Sequence, residues 1–396
     1  MSSKSFGIYV HIPYCLQRCT YCDFATYERS KIMPPEQYLS LLKEEIRQSE
    51  KAYRKGPLQT VYFGGGTPSL LPAENIVSIL QELANAGFSQ NSQTEITLEI
   101  NPATIDPYKM EIYLKAGINR FSVGAQTFDD VLLKSVNREH NATQTRETLT
   151  LLKSLGVNFS FDILFALPTQ TQDGLRRDLD EVLYFNPHHV SPYCLTVPEG
   201  HVLSKNRPLE EAQIEMFEAI SDTLKSVGYE RYEISNFALP GFHSRHNSLY
   251  WDDSAYWGIG LSAHSYAHSG DWGLRYWNPN SIGAYENQIR SLEGKTFQHP
   301  AANLDLDHQE ILRKHQALTD FCHTSLRTAS GLVESRLMQR FGETAARAVL
   351  GSLQLFSEQK LVTRYGEGAW RLTEEGIVLS NQVFAGLTFL EGELSA

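Results

Sequence analysis

Six short apolar runs alternate with amphipathic stretches over the first two hundred residues of this 396-residue chain, and that alternation restricts the fold more than any other feature. The runs cover residues 7–12, 60–63, 94–100, 120–124, 158–164 and 189–195, and the helical stretches between them cover 35–53, 72–86, 107–116, 143–155 and 171–184. Several helices open on Pro or a capping Thr or Asp and close near Gly87, Gly117 or Gly156, as helix ends require. Strands alternating with helices predict a parallel sheet with right-handed crossovers, open or rolled into a partial barrel. In such folds chemistry collects at the carboxyl ends of the strands.

A further amphipathic helix is expected over 210–228 and a strand over 229–237. Residues 240–279 are aromatic, Gly-rich and His-rich with little helical periodicity, which reads as a long functional loop. From about Leu304 the pattern turns helical, and the runs 361–365 and 368–372 around Gly366-Glu367 signal a hairpin before a helix from Thr373. Helices followed by a hairpin resemble a winged-helix module. DNA binding would need a basic face, whereas residues 301–396 hold nine Lys/Arg against twelve Asp/Glu. The whole chain carries a net charge of −11, so no nucleic-acid partner is expected. No apolar stretch approaches the roughly 18 residues of a membrane span, and the polar start MSSKSFG lacks a secretory signal, so a cytoplasmic protein is expected.

The five cysteines are Cys15, Cys19, Cys22, Cys194 and Cys322. An odd number, with three inside eight residues, does not make a disulfide framework and points to a metal or cluster in a reducing compartment. Thiolates ligate zinc or iron-sulfur clusters. Zinc would want a fourth ligand, for which His11 is nearest, although a lone His in an alternating strand is more often packed. A 4Fe-4S cluster on three cysteines would keep one iron open.

The segment Tyr9-Val10-His11-Ile12-Pro13-Tyr14-Cys15 through Cys19-Thr20-Tyr21-Cys22-Asp23-Phe24 resembles the signature of radical S-adenosylmethionine (SAM) proteins, specifically their oxygen-independent coproporphyrinogen III oxidase-like branch. The resemblance extends to Gly64-Gly65-Gly66-Thr67-Pro68 after the second strand, Glu99 ending the third, Gln126 after the fourth, Arg138 in Val136-Asn137-Arg138 and Asp162 near the end of the fifth. It implies a 4Fe-4S cluster on Cys15, Cys19 and Cys22, with SAM chelating the fourth iron. Tyr9, Tyr21, Gly65, Gly66, Thr67, Glu99, Gln126, Arg138 and Asp162 would surround SAM. Glycines let a ligand approach the backbone, and their N–H groups suit its charged end. Cys194 matches a strand-end position near SAM, and the Gly-rich segment around His264 one that approaches its pocket; Cys322 reads as core.

Two features choose within the branch. Phe24 stands where the oxidase carries a fourth cysteine, and only fourteen residues precede Cys15, which argues against coproporphyrinogen decarboxylation. His246-Asn247-Ser248-Leu249-Tyr250-Trp251 is similar to a motif of the branch's haem chaperone group. Imidazole is a good haem-iron ligand, and Tyr and Trp offer flat apolar surface. The resemblance therefore implies an α/β fold: a partial (β/α)6 TIM-like barrel over 1–290, including the 240–279 segment, and a smaller winged-helix-like domain over 300–396. It implies haem binding through His246 and delivery to haemoproteins, such as respiratory enzymes at the membrane, from a cytoplasmic or peripherally attached chain that can form a homodimer. The alternatives are a radical SAM enzyme acting on a porphyrin and, disfavoured by the acidic charge, one modifying RNA. No catalytic residue is assigned.

Overall fold

The computed structural model describes residues 6–53, 55–366 and 368–393; the first five residues of the polar start and Glu367 of the expected hairpin turn lie outside them. Its centre is the strand β1 (Phe6–Ile12), flanked on one side by β2 (Thr60–Gly65), β3 (Glu95–Ile100), β4 (Arg120–Gln126), β5 (Asn158–Phe165) and β6 (His189–Cys194). These six strands are parallel in the order β6-β5-β4-β3-β2-β1. The helices expected between them form at Pro35–Ser49, Ala73–Asn85, Pro107–Lys115, Ala142–Ser154 and Gln172–Phe185. Their ends obey local chemistry. The Asp106 carboxylate accepts from the Lys109 N–H, Asn141 and Gln144 form a capping box, and Asn186 closes its helix in the left-handed conformation.

The sheet does not stop at six strands. The expected strand over 229–237 is two, β7 (Glu230–Glu233) and β8 (Asn236–Ala238), which pair antiparallel beside β6. The 240–279 segment is not a loop. It holds the short helix Arg245–Trp251 and three strands, β9 (Ala255–Ile259), β10 (His264–Ala267) and β11 (Leu274–Trp277). β9 runs parallel to β1 on its other side, with Tyr9 opposite Gly258, and β10, β11 and β12 (Gln309–Ile311) continue antiparallel. These strands have five residues or fewer, too short for a period-two signal to stand out; pairing with β1 and with one another supplies what local propensity does not.

Behind β12, helices Lys314–Arg327 and Glu334–Glu358 pack with a three-stranded sheet of Leu332–Val333, Ala369–Leu372 and Val362–Tyr365. This is the helix and hairpin order expected of a winged-helix-like module. Its apolar core includes Leu318, Phe321, Leu337, Phe341, Val349 and Trp370, with Cys322 fully buried among them. Among the described residues no helix is long and apolar enough to cross a membrane.

Candidate functional site

The chain leaves β1 through Pro13 and enters the cysteine loop. That loop is pinned to the segment after β4: Thr20 N–H donates to the Val136 carbonyl at 3.1 Å and the Asn137 amide donates to the Arg18 carbonyl at 2.8 Å. The Arg18 guanidinium donates back to the Cys22 carbonyl at 2.9 Å. Cys15, Cys19 and Cys22 are free thiols and line one cavity of about 480 Å³ at the carboxyl ends of β2 to β6. Drug-sized ligands occupy pockets of roughly 300–1,000 Å³.

The cavity is also lined by Tyr21, Gly65, Gly66, Thr67, Glu99, Gln126, Arg138 and Asp162. The structure thus brings together every residue expected at the cluster or around SAM except Tyr9, with Cys194 among the lining; His246 and the Gly-rich segment around His264 do not line it. Arg138 donates to Cys19 Sγ at 3.3 Å and to the Asn101 side chain at 2.6 Å, and it also donates to the Gly124 carbonyl. Its Nε has no hydrogen-bond partner. A guanidinium at that distance supplies a counter-charge to a cluster-bound Cys19 sulfur. Burial pushes the Cys15 thiol up to about 11, against hydrogen bonds from Thr67 and Thr26.

Glu99 accepts from the Tyr62 hydroxyl at 2.7 Å and from the Gly65 N–H at 3.1 Å. Burial raises its carboxyl to about 7 despite both donors. Asp162, which accepts from Ser122 at 3.4 Å, is raised by burial to about 6. Gln126 ends β4 at φ +71, just past a bulge, a conformation that non-Gly residues adopt where the surroundings impose it.

The glycine motif works differently from the expectation. The N–H groups are taken: Gly65 donates to Glu99, Gly66 to the Ile12 carbonyl at 2.8 Å and Thr67 to the Tyr14 carbonyl at 2.7 Å. The glycines serve close packing instead. A Cβ on Gly66 would lie 2.6 Å from the Tyr14 carbonyl oxygen, and Gly65, at φ +109, would push one to 2.5 Å from the His11 ring. His11 itself is buried, donates through Nε2 to the Ala25 carbonyl at 3.0 Å and accepts at Nδ1 from the Tyr9 hydroxyl at 3.0 Å. It is a packing residue.

His246 sits on the helix Arg245–Trp251, whose first N–H groups are held by Glu95 at 3.1 and 2.9 Å. The His246 ring stacks on Tyr62 at 5.0 Å between centroids, behind the cavity wall. Nδ1 shares a hydrogen bond with the Thr60 hydroxyl at 2.7 Å and Nε2 one with the Tyr250 hydroxyl at 2.9 Å. Burial lowers its pKa to about 3, so the ring is neutral. Tyr9 lies in the same aromatic layer, 6.1 Å from Tyr62. The neighbouring Asn247 does reach the cavity lining.

A model of the radical SAM superfamily matches residues 9–182. Over 393 residues, 97% of each chain, this chain is 30% identical to the heme chaperone HemW of Lactococcus lactis. The chain belongs to the HemW family. It is also 30% identical over 384 residues to HemW of Bacillus subtilis, with 95% of this chain and 97% of that one covered. In fold it is similar to the coproporphyrinogen III oxidase HemN of Escherichia coli, described as a radical SAM enzyme, with a TM-score of 0.80 over 97% of this chain and 90% of that chain at 21% identity. The chain has the α/β radical SAM fold.

That superfamily implies a 4Fe-4S cluster and SAM, and the residues fit them. Three free thiols on one pinned loop face one cavity, beside the unpartnered Nε of a buried arginine. In this HemW-family chain the cavity also takes in residues that motif reading missed: Tyr62, Asn101, Arg120, Ser122, His189 and Ser191. Their signal was position. Arg120, Ser122, Gly124 and Gln126 recur along one strand at period two, as do His189, Ser191 and Tyr193, so each set points to one face.

Proposed function

We propose that this protein binds haem and passes it to haemoproteins, and that it holds SAM on a three-cysteine 4Fe-4S cluster. The observation that carries this reading is the full-length similarity to proteins named heme chaperone HemW. The apolar rim of the cavity supports it. Phe24 is 66% exposed and Leu16 47%, and both line the cavity with the cysteines, as does the exposed Tyr193. Exposed apolar side chains grouped at one site mark a binding surface, and a flat porphyrin matches them. Haem-iron ligation by His246 requires its ring to give up Tyr250 or Thr60.

Cys15, Cys19 and Cys22 would hold the cluster, which when bound supplies a redox-active centre with one iron open to SAM. Arg138 would offset thiolate charge at Cys19. Glu99, raised by burial to about 7, and Asp162 are placed to take hydrogen bonds from ligand hydroxyls, and Gln126 offers an amide at the strand end. Cytoplasmic residence, homodimer formation and delivery to respiratory enzymes at the membrane belong to the same proposal.

A second reading, a radical SAM enzyme acting on a porphyrin, is favoured by the fullness of that set of cofactor residues. Titrating the anaerobically reconstituted protein with haem, alongside a coproporphyrinogen assay, separates the two. We expect stoichiometric haem binding that His246→Ala abolishes and no porphyrinogen turnover. Turnover, or haem binding untouched by His246→Ala, overturns the respective part.

A further inference from the structure

Arg120 opens β4 at the end away from the cysteine loop. Arg120 pairs opposite Asn158 and Gln126 opposite Ile163 on β5, five steps of about 3.3 Å, which place roughly 17 Å between the strand's ends. Its side chain is on the inward face with Ser122 and Gly124 and lines the cavity, although the residue is only 2% exposed. Its Nε has no hydrogen-bond partner, and among the described residues no carboxylate stands within 4 Å of it as an ion pair. Glu99 and Asp162 feel its charge only through space. A buried guanidinium without an anion is costly, and native structures keep such a group where something else completes it.

The surroundings state what that is. Ser122 and Ser191, whose hydroxyls are turned to Asp162, share the lining with the buried His189, so the guanidinium is the group there left to meet an anion. A guanidinium fork matches a carboxylate or a phosphate in two parallel hydrogen bonds. With Glu99 and Asp162 in the same cavity, a dianion meets more repulsion than a monoanion, which selects the carboxylate.

We propose that the deep end of this cavity is a carboxylate site, in which Arg120 binds the acid group of an organic ligand at the opposite end from the cysteine loop. The acid could belong to a separate small molecule or to a side arm of a tetrapyrrole; only the second source rests on the haem reading. The site is a specificity element, and no bond is made or broken at it.

The test uses the full chain with its cluster reconstituted. Sodium propionate and propionamide are compared by ligand-observed NMR against the wild type, Arg120→Lys and Arg120→Met. Propionate binds the wild type and propionamide does not. Arg120→Met weakens propionate by roughly tenfold to a hundredfold, the scale of losing a hydrogen bond to a charged group, and Arg120→Lys recovers part of it. Haem and its dimethyl ester are then titrated. A preference for the free acid that vanishes in Arg120→Met assigns the acid to the tetrapyrrole; equal binding of acid and ester assigns it to a separate small acid. Equal propionate binding by wild type and a folded Arg120→Met, or none by the wild type, overturns the site. Failure of the wild type to bind haem overturns the haem reading alone, since the propionate result stands without it.

Discussion

Two carboxylates, one buried and one half-buried against the cavity, make different use of the same fold. Glu45, 2% exposed, is surrounded by donors: the Asn278 amide at 2.7 Å, the Tyr285 hydroxyl at 2.6 Å and the Gly260 N–H at 2.9 Å. It ties the helix Pro35–Ser49 to the end of β9 and to the helix Ile282–Ser291. Glu99 has two donors and faces a cavity whose arginines, Arg120 and Arg138, each keep an Nε unpartnered. A polar cluster that satisfies itself holds a structure together; one left incomplete is arranged for something else.

Mutation should separate the two sides. The largest effect is expected at the incomplete one: Cys19→Ala abolishes the iron-sulfur absorbance of the reconstituted protein and its bound iron, while the unfolding midpoint of the metal-free chain stays near wild type, because Cys19 contributes no core contact. A colourless protein that binds one zinc would overturn the cluster assignment. On the complete side, Glu45→Ala lowers stability by roughly 3 kcal/mol or more, since it orphans three donors at once, as denaturant unfolding measures. Glu99→Ala should lose SAM affinity with a much smaller stability change; equal destabilisation would erase the contrast.

Protonation sharpens it further. Burial raises Glu99 to about 7 and Asp162 to about 6 in the folded chain, above their ordinary values. A raised folded pKa contributes stability that is present below the unfolded value and lost as pH climbs through the folded one. The metal-free protein should therefore lose stability between about pH 4 and 7, and Glu99→Gln with Asp162→Asn should remove that pair's share of the slope. An unchanged slope in the double variant rules these groups out as its source. The smallest effect is predicted for Tyr250→Phe, which frees His246 Nε2 at a cost of about 1 kcal/mol. Haem affinity, read optically, should rise; a fall would show that the Tyr250 hydroxyl holds haem rather than guarding the histidine.

Legibility in the sequence followed how local each determinant was. The six strands and five helices of the first two hundred residues were readable because their caps and periods are properties of neighbouring residues: Asp106, Asn141 and Asn186 do locally what their types allow. β9 to β11 were not, because strands of four or five residues gain their order from pairing onto β1 and onto one another. The cysteines and the acidic strand ends stood out by spacing and type, whereas Arg120 and Ser191 looked like ordinary strand residues.

The sequence alone determined the parallel sheet, the three-thiol loop and the family resemblance, since these rest on order and spacing along the chain. Only the tertiary structure decided that the glycine N–H groups are already taken, that both nitrogens of His246 are engaged, and that Arg120 is left without a partner. Each is a question of which groups meet in space, from four residues apart at His246 and Tyr250 to 186 at His246 and Thr60, and hydrogen-bond completion is settled by that meeting rather than by any residue's identity.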